Sequence, residues 1–73
     1  MSNKYSAVIT KEDDMFVSFC PELDIASQGY SVEEANNNLR EAVELFIEHS
    51  SEAEFKQYLK KDVYYTQFEV AFG

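Results

Sequence analysis

Phe16-Val17-Ser18-Phe19-Cys20-Pro21-Glu22-Leu23-Asp24-Ile25-Ala26-Ser27-Gln28-Gly29-Tyr30-Ser31-Val32-Glu33-Glu34-Ala35 reads as a strand, a proline-locked corner, a second strand, a glycine turn and a capped helix start. Met15 to Phe19 alternates with period two, which puts Met15, Val17 and Phe19 on one face of a strand. Pro21 has no amide to give a ladder and pushes Cys20 into extended geometry, so that strand ends at the corner. Ile25 to Gln28 suits a short antiparallel strand, and Gly29 supplies the backbone freedom of a sharp reversal. Ser31-Val32-Glu33-Glu34 has the spacing of a capping box, in which hydroxyl and carboxylate each satisfy an orphan amide. Nothing in the stretch pairs a nucleophile with a base or builds a metal cage. It points to a recognition scaffold rather than an enzyme.

On the N-terminal side, Tyr5 to Thr10 reads as a first strand and Lys11-Glu12-Asp13-Asp14 as a turn, because Asp tolerates unusual dihedrals and bonds its own downstream backbone. The short connection makes an antiparallel hairpin with Met15 to Phe19. On the C-terminal side, Val32, Ala35, Leu39, Ala42, Val43, Phe46 and Ile47 recur at three- and four-residue spacing and form one apolar stripe. Asn36, Asn37, Arg40, Glu41, Glu44 and Glu48 take the opposite face. Ser51 and Glu54 repeat the cap spacing before a short helix with Phe55, Tyr58 and Leu59 facing inward, ending near Lys60-Lys61. From Val63 to Phe72, Phe68, Val70 and Phe72 alternate with Glu69 and Ala71, which predicts a final strand. The expected fold class is α+β in the order β-β-β-α-(short α)-β, a four-stranded sheet with one helix layer, in a single domain over residues 1–73.

A chain of 73 residues supports one modest core, since at this size only roughly 60% of the unfolded surface is buried. Hydrophobic residues make up 45% and aromatics 15%, more than one sheet face against one helix requires, which predicts cover by another chain and a homo-oligomer. Six basic residues against 14 acidic give a net charge of −8, a field that repels phosphate backbones and steers a basic protein inward. The plainer account of that charge is solubility. Cys20 is the sole cysteine, which excludes an intrachain disulfide and a thiolate metal cage and fits a reducing cytoplasm. Met1-Ser2-Asn3-Lys4 carries no apolar signal region and no stretch has membrane-spanning length, so neither export nor membrane insertion is expected.

The candidate chemistry is sparse. His49, the sole histidine, sits at a helix end without the partners of a triad. Cys20 has no sequence neighbour that would lower its pKa and reads as a small buried residue. Asp13, Asp14, Glu22 and Asp24 would serve two-metal phosphodiester chemistry if clustered, but turn and corner solvation accounts for them. A base-stacking role for the aromatics would need cations along the sheet, and Arg40, Lys56, Lys60 and Lys61 lie on helical segments. No catalytic residue, metal site or cofactor is expected.

The run from Phe16 to Gly29, followed by Ser31-Val32-Glu33-Glu34-Ala35 and Leu39-Arg40-Glu41-Ala42-Val43-Glu44-Leu45, resembles the HicB-type antitoxins over residues 5 to 47. The resemblance implies a truncated ribonuclease-H-like fold, a mixed sheet whose fourth strand lies beside the first. It also implies a toxin–antitoxin pair in which this chain binds and blocks a small basic RNA-cleaving HicA-type toxin. Many such antitoxins carry a C-terminal DNA-binding domain that represses their own operon; the sequence ends at Gly73 without one, so autorepression is not expected, and the net charge of −8 argues against direct nucleic-acid contact. Glu22 and Asp24 at the corner, with Glu33, Glu34, Glu41 and Glu44 on the helix, are the candidate partner-binding residues. The alternative is a free-standing oligomeric interaction module with no toxin partner.

Overall fold

In the computed structural model, which describes residues 4–59 and 62–72, the elements run β1 (Val8–Glu12), β2 (Met15–Cys20), β3 (Ile25–Gly29), α1 (Val32–His49) and α2 (Glu52–Leu59). The sheet order is β1-β2-β3, with both pairings antiparallel. β1 starts at Val8 rather than Tyr5 and continues to Glu12, so Lys11 and Glu12 belong to the strand and not to the turn. The register explains the shift. Val8 faces Phe19, near the end that Pro21 imposes on β2, and Glu12 faces Met15 across a two-residue loop. Asp13 closes that loop at φ 55, a left-handed conformation that Asp tolerates better than most residues.

Ile9, Phe16, Ser18, Cys20 and Ile25 turn toward α1, while Val8, Met15, Val17, Phe19 and Ala26 share the other face. The more apolar side of β2 is thus the outer one, and small groups fill the inner one. Ser18 and Cys20 are fully buried, and the Ser18 hydroxyl donates to the Ala35 carbonyl at 2.9 Å. Gly29 is the last residue of β3, where an added Cβ would lie 2.6 Å from the Ala35 nitrogen. Its role is close approach of helix to sheet, where the sequence reading assigned it a reversal. The core gathers Cys20, Leu23, Leu39 and Val43, with Tyr5, Ile25, Phe46 and Tyr58 packed around it.

α1 starts where the cap spacing places it: Ser31 Oγ accepts from the Glu34 amide at 3.0 Å. The Glu34 carboxylate reaches back to the Tyr30 amide at 3.3 Å, one residue earlier than in a standard capping box. α2 is capped in the same way by Ser51, whose Oγ accepts from the Glu54 amide at 3.2 Å. Phe55 and Tyr58 are half-buried, and the Tyr58 ring meets Phe46 edge-on at 5.4 Å. The expected inward side chain of Leu59 and the cationic helix end at Lys60-Lys61 lie outside the described residues.

The four-stranded sheet is not what the chain forms. Among the described residues the sheet has three strands, all antiparallel rather than mixed, and residues 62–72 form neither helix nor strand. Phe68 is 84% exposed and Phe72 98%. Alternating apolar residues record a face that needs cover, and a strand exists only where an edge supplies its hydrogen bonds. Within one chain, this segment does not lie on such an edge.

Candidate partner-binding site

The corner after β2 is held from three sides. Leu23 is 3% exposed, and its amide donates to the Cys20 carbonyl at 3.3 Å. Asp24 takes a left-handed conformation at φ 56 as the chain turns into β3. Glu22 reaches across to Ser6, accepting from its amide at 3.0 Å on Oε1 and from its hydroxyl at 2.6 Å on Oε2. The Cys20 thiol donates to the same Oε1 at 3.4 Å. Of the two acidic corner residues singled out in the sequence, Glu22 therefore ties the segment before β1 to the corner, and Asp24 shapes the turn.

Partial burial pushes the Glu22 carboxyl up, but the hydrogen bonds from the Ser6 side chain and backbone outweigh it and hold the group below its ordinary value of 4.5. Burial pushes the Cys20 thiol up, and neighbouring Glu22 adds to this against the contact with the Leu23 backbone. A thiol shifted that way is a poor nucleophile at neutral pH. The lowered Glu22 pKa gives a testable sign. A carboxyl held lower in the folded state stabilises the fold above its unfolded pKa, and that stability is lost as pH falls through the folded value. Thermal melts should thus show an acid destabilisation below about pH 4.5 that is reduced in Glu22→Gln. Identical pH profiles for the two proteins would show that the Ser6 contact contributes nothing in solution.

The other four candidate carboxylates lie on α1. Glu33, Glu34, Glu41 and Glu44, joined by Glu48, are all exposed and fall within an arc of about 100° on the helical wheel. This arc is opposite buried Ala35, Leu39 and Val43, so the ridge faces away from the sheet. Glu44 is partnered by Arg40 at 3.1 Å in a well-exposed i,i+4 pair, and Glu34 is engaged in the cap. The structure gathers these four on one ridge and leaves Glu22 and Asp24 at the corner.

Two apolar features were not legible as sites. The outer sheet face exposes Val8 and Phe19 beside half-buried Met15 and Val17. An open groove of about 590 Å³ runs between α1, the segment before β1 and Phe55 of α2, lined by Tyr5, Ala7, Leu39, Val43 and Ile47 among others. His49 ends α1 at the surface. Among the described residues, no three His, Cys, Asp or Glu come together to hold a metal ion, and no helix is long and apolar enough to cross a membrane.

Comparison with known proteins places the sequence. A UPF0150 protein of Helicobacter pylori strain J99 is 37% identical to it over 69 residues, covering 93% of this chain and 96% of that protein. The chain belongs to the UPF0150 family. No family model matches it, and no solved structure does. The match therefore covers nearly the whole chain and not only the corner and helix.

Proposed function

We propose that this UPF0150 member is a cytoplasmic protein-binding module that neutralises a small basic RNA-cleaving toxin of HicA type by occluding its active surface. The observation that carries the reading is the acidic ridge of α1, a rigid one-sided array on a chain of net charge −8. A ridge of that sign draws a basic partner at long range, and an adjoining apolar surface holds it once docked. Glu33 and Glu41 offer exposed carboxylates for such contacts, Glu44 (paired with Arg40) and Asp24 add to the local negative charge, and Glu22 and Glu34 contribute mainly by fixing the corner and the helix start. The UPF0150 kinship is loosely consistent with a toxin–antitoxin role and supports the HicB-type resemblance of residues 5 to 47. In this reading the chain binds no nucleic acid itself.

The test is to sequence the adjacent reading frames and co-express any small basic protein they encode with this chain, scoring growth and RNA cleavage. The expected result is a protein toxic alone and harmless when co-expressed, with an association rate that falls steeply as salt rises. A neighbour that is harmless alone, or that stays toxic beside abundant folded partner, would overturn the proposal. The second reading, an oligomeric module without a toxin, draws on the exposed aromatic segment 62–72.

A further inference from the structure

The structure leaves one apolar groove open and one amphipathic segment uncovered, and the two match. The groove follows α1 from Leu39 to Ile47, a rise of about 12 Å. Its other long wall is Tyr5 to Ala7, which leads directly into β1. β1 is an edge strand, and among the described residues nothing pairs with its outer backbone groups. The opposite edge differs: at β3 the Asn38 side chain already donates to the Gln28 carbonyl at 2.8 Å. Segment 62–72 carries Phe68, Val70 and Phe72 at every second position. In extended form these three side chains span about 13 Å, the length of the groove.

The segment does not fill its own chain's groove. None of its residues lines that groove, and Tyr64, Phe68, Val70 and Phe72 are all well exposed. The radius of gyration is 14.5 Å with a long axis of 50 Å, whereas a compact chain of this length has about 11 Å. The segment is an arm that projects from the body. We propose that two copies of this chain exchange arms: residues 62–72 of each lie along the β1 edge of the other, with Phe68, Val70 and Phe72 seated in the groove between α1 and Tyr5–Ala7.

The exchange is reciprocal and closed by a two-fold axis, so it stops at a dimer. Each arm brings the rings of Phe68 and Phe72 with Val70 into the groove, Tyr64 falls on the same face of the extended segment, and aromatic side chains bury roughly 150–250 Å² each. Two arms therefore supply the area a stable dimer requires. The contact itself offers no charge attraction, since the arm carries only the carboxylates Asp62 and Glu69 and the charges at the groove are the self-compensating Arg40–Glu44 pair. Long-range repulsion between two chains of net charge −8 remains. Dimerisation should consequently tighten as salt rises, opposite to the basic-partner binding proposed above, and the two proposals can fail separately.

The direct experiment refolds an equal mixture of isotope-labelled and unlabelled chains and records filtered nuclear Overhauser contacts between them. Contacts expected between chains run from the Phe68 and Phe72 rings to the methyl groups of Val43 and Ile47. Sedimentation at micromolar concentration should give twice the chain mass of 8.4 kDa. Phe68→Ser with Phe72→Ser should weaken the dimer by more than about tenfold while leaving the melt of the body intact, because both rings are exposed in the single chain. A monomer at all salt concentrations, the same contacts arising only within one chain, or a dimer unaffected by the double substitution would each overturn the proposal.

Discussion

Gly29→Ala is expected to destabilise the fold by about 2 kcal/mol, although the substitution adds a single methyl group. The residue is not in a left-handed conformation, so the cost does not come from backbone dihedrals. It comes from the neighbours of the new Cβ: the Ala35 nitrogen at 2.6 Å, the Glu34 carbonyl carbon at 2.9 Å and the Ala35 Cα at 3.0 Å. All three are backbone atoms of the first turn of α1, and none can rotate away as a flexible side chain would. Relief requires lifting the helix start off β3. That movement would lengthen the Ser18 hydroxyl contact to the Ala35 carbonyl and leave a fully buried hydroxyl short of its acceptor. The measurement is the urea midpoint of Gly29→Ala against Ala26→Gly, which removes a methyl from an exposed position of the same strand. Equal midpoints for Gly29→Ala and the unsubstituted protein would show that α1 does not sit this close to the sheet in solution.

The residues that make this close packing possible explain what could be read from the sequence and what could not. The hairpin, the corner at Pro21, the third strand and both helix caps follow from local rules, and each acts within a few residues of the side chain responsible. The stripe Ala35, Leu39 and Val43 was legible for the same reason, as a period along one element. The inner face of β2 was not. Alternation showed that Met15, Val17 and Phe19 share a face, but it carries no sign for which face meets the helix. Only the fit of Ser18, Cys20 and Gly29 against Ala35 decides this, through small residues whose value is the space they leave. A run of small residues at Ser18, Cys20, Ser27 and Gly29 was the available signal. The segment from Val63 to Phe72 failed differently. Its alternation marks side chains that an extended strand would place on one face, but a strand also needs a partner edge, a property of the tertiary arrangement that no pattern within the segment records. As for the candidate site, the acidic helix residues do share a ridge. The tie between Glu22 and Ser6, separated by 16 positions in sequence, had no local signature.

Leu23→Ala should cost about 2–5 kcal/mol, the range for emptying a buried leucine site. In a chain whose total stability is of the order of 5 kcal/mol, such a loss leaves a large unfolded fraction at 37 °C. The argument rests on where the side chain sits. Leu23 is flanked by exposed Asp24 and half-buried Glu22, which would suggest a solvated loop. Yet it is 3% exposed and forms one core with Cys20, Leu39 and Val43, joining the corner to the middle of α1. The Leu23 amide to Cys20 carbonyl bond and the positive φ of Asp24 hold the backbone so that this one side chain turns inward. Asp24→Ala changes an exposed turn residue outside the core and is expected to cost less: the strain of a left-handed alanine together with the loss of the Asp24 side-chain interactions. Comparing the two by chemical denaturation separates an anchor from a loop. If Leu23→Ala loses no more stability than Asp24→Ala, the corner does not contribute to the core. The large asymmetry expected instead has a functional consequence: the corner is anchored by Leu23 and braced by Glu22 to Ser6, so any partner that touches Asp24 meets a carboxylate on a fixed backbone.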